Sequence, residues 1–465
     1  MYETDYLIIG SGAVGMNCAD VLLDETDADI LIVDRHAAPG GHWNDAYPFV
    51  RLHQPSVFYG VPSRVLGGNR IDQTGPNRGY YELPSGTEVS AYFEAVMRER
   101  FLPSGRVRYL PMHEFDDEQS TATAVLSGAS QDVKVRRKII DTTFFNTTVP
   151  LTHTPAYAVA KDLKLVTPND LPRVATGHTR FTVVGGGKTG MDTCVWLLEN
   201  GADADQIRWI VPRDSWLINR AITQPGDAYL YDSLGGYASM LEAAAFGETV
   251  EDVFAWLEAS KCMLRIETSI RPTMFRNATM SQGEIDVLRK IKDVIRLGRV
   301  QRLEPDRIEL ENGLVSADPG DLYIDCTAKA FDARASAPVF TPGRIFPQVV
   351  LNGSVCLSAA LIAYVEANYA DDQEKNEICA PVPLMNEDAD WLPMIYWHLR
   401  NVDRRASEKE LGRWLRQNRL TGFGSPKGTK DAPDPDYLKI VKRMRDAAPL
   451  ASANLKRLMG TPERS

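Results

Sequence analysis

Residues 6–9, Tyr-Leu-Ile-Ile, form a short unbroken apolar run, the pattern of a strand buried on both faces of a parallel sheet. The run enters Gly10-Ser11-Gly12-Ala13-Val14-Gly15. An amphipathic stretch over 16–23 follows, then a second apolar run, Ile30-Leu31-Ile32-Val33, that ends at Asp34. Strand, glycine turn, helix and strand in that order predict a βαβ unit. The order recurs: apolar residues 181–184, then Gly185-Gly186-Gly187-Lys188-Thr189-Gly190, a helical stretch over 191–199, and a strand over 207–211 that runs into Pro212-Arg213-Asp214. Residues 138–142 read as another strand of the first unit, and 322–327 as its return strand. The segment 150–172 contains Pro150, Pro155, Pro168 and Pro172 and reads as a crossing between domains. A helix is expected over 354–369 with Ser354 at its N-cap.

The expected architecture is α/β, with two Rossmann-like dinucleotide-binding domains, the first of them discontinuous. Its parts are 1–170, the first domain; 171–318, the second domain with a helical insertion; 319–385, the return to the first; and 386–465, a Trp-rich and then basic helical appendage. The 465 residues carry 52 Lys and Arg against 62 Asp and Glu, a net charge of −10. Nothing in that balance resembles a basic footprint for nucleic acid. The six cysteines are dispersed with no C-x-x-C, which speaks against a dithiol pair or zinc ribbon, and no metal site is expected. No basic stretch leads into a long apolar core at the start, and no apolar run approaches the roughly 20 residues of a membrane span. A soluble, cytoplasmic protein is therefore expected.

The glycines have separate physical roles. Gly10 permits the tight turn, Gly12 lets the backbone approach a pyrophosphate, and Gly15 lets helix and strand pack closely. The helix N-terminus offers N–H groups to phosphate, and Asp34 stands where a carboxylate can accept from ribose hydroxyls. In the second unit Gly185, Gly187 and Gly190 take the same places, with Lys188 and Thr189 between them; the spacing of a P-loop is not met. Arg213 occupies the end of the second strand. A guanidinium there suits a 2′-phosphate, with Arg220 as a possible helper, so NADPH is favoured over NADH.

After Asp34 come Gly40-Gly41-His42-Trp43 and Tyr47-Pro48-Phe49-Val50-Arg51-Leu52-His53-Gln54-Pro55-Ser56. This block resembles the class B flavoprotein monooxygenases: flavin-containing monooxygenases, YUCCA-type enzymes and Baeyer–Villiger monooxygenases. The resemblance covers roughly 1–60, 137–220 and, more loosely, 320–365. It implies FAD in the first domain and NADPH in the second. It adds Ala13, Arg35, Gly41, Trp43, Arg51 and His53 to the glycines and Asp34 as FAD contacts. It implies that NADPH reduces FAD, that O2 adds at flavin C4a, and that one oxygen atom of the resulting (hydro)peroxide reaches a small organic substrate at nitrogen, sulfur or an activated carbon. His53 falls near the reactive edge of the flavin in that resemblance; an imidazole there can hydrogen-bond or donate a proton near neutral pH, with Gln54 as second candidate. The alternative for His53 is a packing role. The Baeyer–Villiger linker motif is absent: 144–155 has Phe144 and His153 at the wrong spacing, so ketone-to-ester chemistry is demoted. The chain is thus a divergent branch.

The expected partners are a small organic substrate and O2, with a homodimer left open. Aromatic residues Tyr229, Tyr231, Tyr237, Phe246, Phe254 and Trp256 lie in the expected substrate region, although at helical spacing they suit a core equally well. Two rival functions remain at this level. One is an NADPH-dependent flavoprotein reductase or dehydrogenase without oxygen insertion. The other is a sensor that keeps FAD as a redox reporter.

Overall fold

The two apolar runs that flank each glycine turn become neighbouring strands at the centres of two separate parallel sheets. The computed structural model describes all residues except 319, 332–333, 423, 426–433 and 461–465. In the first sheet Tyr2–Ile9 lies between Ile30–Asp34 and Ser130–Asp141, with Val107–Pro111 and Arg344–Ile345 outside them, all parallel. His113–Asp116 and Thr121–Ala124 form an antiparallel meander that feeds Ser130–Asp141. In the second sheet Phe181–Val184 lies between Ile207–Ile210 and Leu322–Asp325, with Asp293–Ile295 and Leu165–Val166 at the edges, again all parallel. Each glycine turn therefore leaves the strand at which the order reverses, the place where open α/β sheets bind ligands.

One expectation is corrected here. Leu322–Asp325, assigned to the return of the first domain, pairs with Phe181–Val184 in the second sheet. The chain rejoins the first sheet only at Phe340–Thr341 and Arg344–Ile345. A short run buried on both faces carries no mark of which parallel sheet it enters. The helix expected over 354–369 forms as Val355–Asn368 and packs among the residues of Ala13–Glu25 in the main core. Ser354 stands at its N-cap, but its side chain makes no capping hydrogen bond.

The helical insertion consists of Leu230–Phe246 and Val250–Ala259. The appendage forms the helices Trp391–Ala406, Lys409–Gln417 and Pro435–Leu458, and parts of it lie outside the described residues. It is tied to the body at three places. Arg443 forks onto Glu242 of the insertion at 2.8 and 2.7 Å. Buried Asn401 and Arg405 donate to Val350 O at 3.2 and 3.1 Å, on the turn before Val355–Asn368. Arg419 donates to Tyr59 O and Val61 O at 2.9 and 2.6 Å, on the segment after the Tyr47–Ser56 block. The aromatic residues of the insertion do not converge on one wall. Phe254 is core between Trp216 and Trp391, Phe246 pairs with Trp256 on the surface, and Tyr237 meets His398. No helix among the described residues is long and apolar enough to cross a membrane.

Candidate functional site

In the first glycine turn Gly10 has φ +99°, and a side chain there would press on Thr142 Oγ1. A Cβ on Gly15 would lie 2.0 Å from Gly10 O, so only glycine lets the helix approach the strand. Ala13 is the buried first residue of that helix, and Gly12 is its N-cap. Gly12 lies directly against Gly41, whose own Cβ would come within 2.9 Å of Gly12 Cα. The Gly40-Gly41 pair of the motif thus covers the glycine turn. The Trp43 indole N–H donates to Tyr59 Oη at 2.7 Å, which anchors the segment from below.

Asp34 is nearly fully buried and already well supplied with donors. Its Oδ2 accepts from Ser11 N at 2.6 Å and Ser11 Oγ at 2.7 Å; its Oδ1 accepts from His36 N at 2.8 Å and meets His36 Nδ1 at 2.9 Å. The other ring nitrogen of His36 meets Asp45 Oδ2 at 2.9 Å. Two carboxylates beside one imidazole favour its protonated form, and the hydrogen bond to Asp34 is the main cause of its raised pKa. Burial by itself would raise Asp34, but the donors from His36 and Ser11 outweigh it and bring it below the usual carboxylate value. A ribose at this position shares or replaces donors rather than meeting a free carboxylate. Arg35 beside it is exposed.

The second turn repeats the first. Gly185 has φ +128°, and a Cβ on Gly190 would lie 2.1 Å from Gly185 O. Gly187 caps Lys188–Glu199 with no side-chain partner, and a Cβ built on it meets nothing within 4 Å. The helix N-terminus here opens onto free space, as a pyrophosphate cradle requires. Lys188 forms an ion pair one turn along with Asp192, and the Tyr47 hydroxyl donates to the other oxygen of Asp192 at 2.9 Å. Thr189 also reaches Tyr47. Phe49 stacks on Trp196 of the same helix with centroids 4.9 Å apart. The Tyr47–Phe49 part of the first unit therefore lies along the helix of the second.

Arg220 completes this seam, and its expected role is corrected. It is fully buried, so it cannot clamp a 2′-phosphate at the sheet edge. Its guanidinium donates to His53 O at 2.6 Å, Thr279 O at 3.2 Å and Glu284 Oε2 at 3.0 Å. Burial alone would raise Glu284, but Lys188, Arg220 and the Ser281 N–H pull it down to about 2. Arg220 thus fixes the backbone at His53 against the second domain.

The rings of His42 and His53 are surrounded by protein at depth, yet each residue keeps more than a third of its surface accessible. Both residues thus combine deeply surrounded rings with an accessible surface. Desolvation lowers His42 to about 4, and desolvation followed by the charges of Lys188 and Arg220 lowers His53 to about 3. Solvent at the rings tempers these shifts without reversing them. His53 is therefore a neutral imidazole at neutral pH in this arrangement, suited to hydrogen bonding; proton donation near neutrality is not what its surroundings favour. Gln54 turns back toward Phe58 O at 3.4 Å. Arg51 donates to Leu83 O at 2.9 Å and is exposed. His153 meets Thr327 Oγ1 at 3.0 Å, beside Asp325.

Arg213 stands where expected at the end of its strand but is already forked onto Glu387 of the appendage, 2.9 Å at Nη1, and donates to Thr273 O at 2.8 Å. Glu387, Glu284 and Asp192 take part in this site without having been expected to. Only Asp192 had a local signal, its spacing four residues after Lys188. All six cysteines are buried and unpaired. Among the described residues no group of side chains is arranged to hold a metal ion.

The family described as NAD(P)-binding Rossmann-like domain matches residues 8–62, the first glycine turn through the Tyr47–Ser56 block. Distant likenesses among solved structures include a flavin-containing monooxygenase from Stenotrophomonas maltophilia, at 15% identity and TM-score 0.47, covering 82% of this chain and 100% of that one. Another is an oxidized steroid monooxygenase bound to NADP, at 14% identity and TM-score 0.49, covering 79% of this chain and 87% of that one. Much nearer in sequence are uncharacterized proteins of Mycobacterium tuberculosis and Mycobacterium bovis, each 46% identical over 418 residues, 90% of this chain and 77% of theirs. The chain belongs to one family with these mycobacterial proteins.

Proposed function

We propose that the protein is an FAD- and NADPH-dependent oxidoreductase, and that it acts as a monooxygenase on a small organic substrate at nitrogen, sulfur or an activated carbon. The observation that carries this reading is the pair of like-built glycine turns on two parallel sheets, joined through Tyr47, Phe49 and Arg220. A side-chain-free cradle at Gly12 and open space at Gly187 fit two dinucleotides. When bound, FAD and NADPH supply the electrons and the activation of O2.

The chain's own residues bind, orient and screen. Gly10, Gly12, Gly15 and the N-terminus of Ala13–Glu25 hold the pyrophosphate of FAD, while Gly41 and Trp43 cover it. Gly185, Gly187 and the N-terminus of Lys188–Glu199 hold that of NADPH, with Arg213 at the 2′-phosphate. The seam through Tyr47, Asp192 and Lys188 fixes the distance between the two sites. His53 offers a neutral imidazole as a hydrogen-bond partner for a polar group beside the flavin ring. Buried, unpaired cysteines argue against a dithiol relay.

The test is a panel of amines, sulfides and carbonyl compounds incubated with the yellow protein, NADPH and 18O2. Label in a product, with NADPH consumed in step, supports the monooxygenase. NADPH oxidation with every electron recovered as peroxide or in an organic acceptor leaves a reductase. No NADPH oxidation with any compound favours the sensor.

A further inference from the structure

The edge of the second sheet carries more guanidinium than carboxylate. Arg213 follows Ile207–Ile210, Arg296 follows Asp293–Ile295, and Arg276 lies in Met274–Met280, a strand of a separate three-stranded sheet beside them. Arg296 is neutralised by a two-pronged pair with Asp214 at 2.9 and 3.1 Å. Arg213 is neutralised by the fork onto Glu387. Arg276 has no carboxylate within ion-pair distance among the described residues. Its Nε and Nη2 both donate to the amide oxygen of Asn386, 3.0 Å from Nε. It is partly buried, and desolvation followed by repulsion from Arg213 lowers its pKa, with Glu387 as the opposing charge. Arg276 is thus left with a neutral amide as its direct partner, while Arg213 is ion-paired with the Glu387 carboxylate.

That carboxylate arrives from the appendage. Residues 386–388 lie against the start of Met274–Met280: Phe275 N donates to Asn386 O and Asp388 N to Thr273 O, both at 3.2 Å. The backbone is therefore held independently of the Glu387 side chain, half of which is exposed. A partly exposed ion pair contributes little, about 0–1 kcal/mol, so an incoming anion can open it. A phosphate monoester carries more charge than a carboxylate and accepts the same planar forks. The position directly after the second strand of a Rossmann unit is where the 2′-substituent of the adenosine ribose is read.

We propose that Arg276 and Arg213 together recognise the phosphate monoester of a 2′-phosphorylated dinucleotide, and that Glu387 is a displaceable carboxylate that occupies this place in its absence. The inference rests on the reading of the second unit as the NADPH site. Arg276 makes the site selective, and Glu387 sets how much of that selectivity is spent on displacing the chain's own anion.

The experiment is equilibrium binding of NADP+ and NAD+ to the flavin-loaded protein by calorimetry, for the natural sequence and for Arg276→Gln, Arg276→Lys and Glu387→Gln. Arg276→Gln should weaken NADP+ by about tenfold or more, as expected for a lost charge-assisted bond, and leave NAD+ within about twofold. Arg276→Lys should restore part of the loss. Glu387→Gln should tighten NADP+ a few-fold, on the scale of an exposed ion pair, without changing NAD+. Equal weakening of both nucleotides by Arg276→Gln, or weaker NADP+ binding by Glu387→Gln, overturns the proposal. If Arg276→Gln does not fold, the surface variant Glu387→Gln decides alone. Natural protein that binds both nucleotides equally overturns this inference but keeps a nicotinamide site. Protein that binds neither removes the proposed function with it.

Discussion

The two glycine units are alike in backbone and unlike in charge. Gly10 and Gly185 both need positive φ, and Gly15 and Gly190 both sit where a Cβ would meet a main-chain carbonyl oxygen, at 2.0 and 2.1 Å. The polar residue at the end of each second strand behaves differently. Asp34 is satisfied by Ser11 and His36, no more than 23 residues away. Arg213 is satisfied by Thr273 and Glu387, 60 and 174 residues away. Steric demands of a strand–turn–helix are local, so the same glycines recur. Charge compensation depends on which other segment reaches the strand end. The first unit closes on itself; the second takes its counter-ion from the appendage, and what is borrowed can be exchanged.

The largest expected effect tests the shared backbone. Gly15→Ala and Gly190→Ala each force a methyl group against a carbonyl that cannot move without the strand, an overpacking penalty on the order of 3 kcal/mol. If the units are independent binding sites, Gly15→Ala should yield protein with little flavin. Gly190→Ala should stay yellow but lose NADP+ binding. Gly187→Ala is the control: its Cβ meets no atom within 4 Å, so it should fold normally and lose nucleotide affinity only. Equal flavin loss in Gly15→Ala and Gly190→Ala would show that one site does not survive without the other.

A smaller effect probes the seam. Tyr47→Phe removes a hydroxyl donor from Asp192 and leaves the carboxylate to Lys188. A buried hydrogen bond to a charged group contributes about 1.5–3 kcal/mol. Thermal unfolding should fall accordingly, with flavin content unchanged and reduction by NADPH slowed, because the two sites lose a fixed separation. Unchanged reduction with lowered stability would restrict Tyr47 to packing.

Much of the fold was legible because its signals are local. The apolar runs and the glycine spacing each lie within a single βαβ unit. What was not legible depends on distant segments. Leu322–Asp325 has a pattern that either parallel sheet accepts, and only its pairing with Phe181–Val184 decides. Arg220 carries no sequence mark of burial, so the same residue type reads as a phosphate clamp until Glu284 and His53 O are seen beside it. The resemblance implied a place for His53 near the reactive edge of a flavin. Its lowered pKa was not legible, because the causes are burial first and then the charges of Lys188 and Arg220 from distant segments.

The smallest effect separates the units by pH. In the first unit His36 bridges Asp34 and Asp45 with both ring nitrogens, and the bond to Asp34 raises its pKa. A raised folded-state pKa means that the contribution is complete below the ordinary histidine value of about 6.5 and declines as pH rises through the folded value. Above that point a neutral ring can donate from only one nitrogen, and one of the two ties is lost. Asp34 moves the opposite way: lowered by its donors, it contributes above the unfolded carboxylate value and fails only in acid. The second unit has a guanidinium at the matching position, which stays charged throughout. The stability gap between the natural protein and His36→Gln should therefore be widest near about pH 5.5 and shrink by about pH 8.5, read by thermal release of flavin. A gap that is constant across this range would mean that His36 acts as a neutral spacer. The first unit would then owe its closure to Ser11 alone.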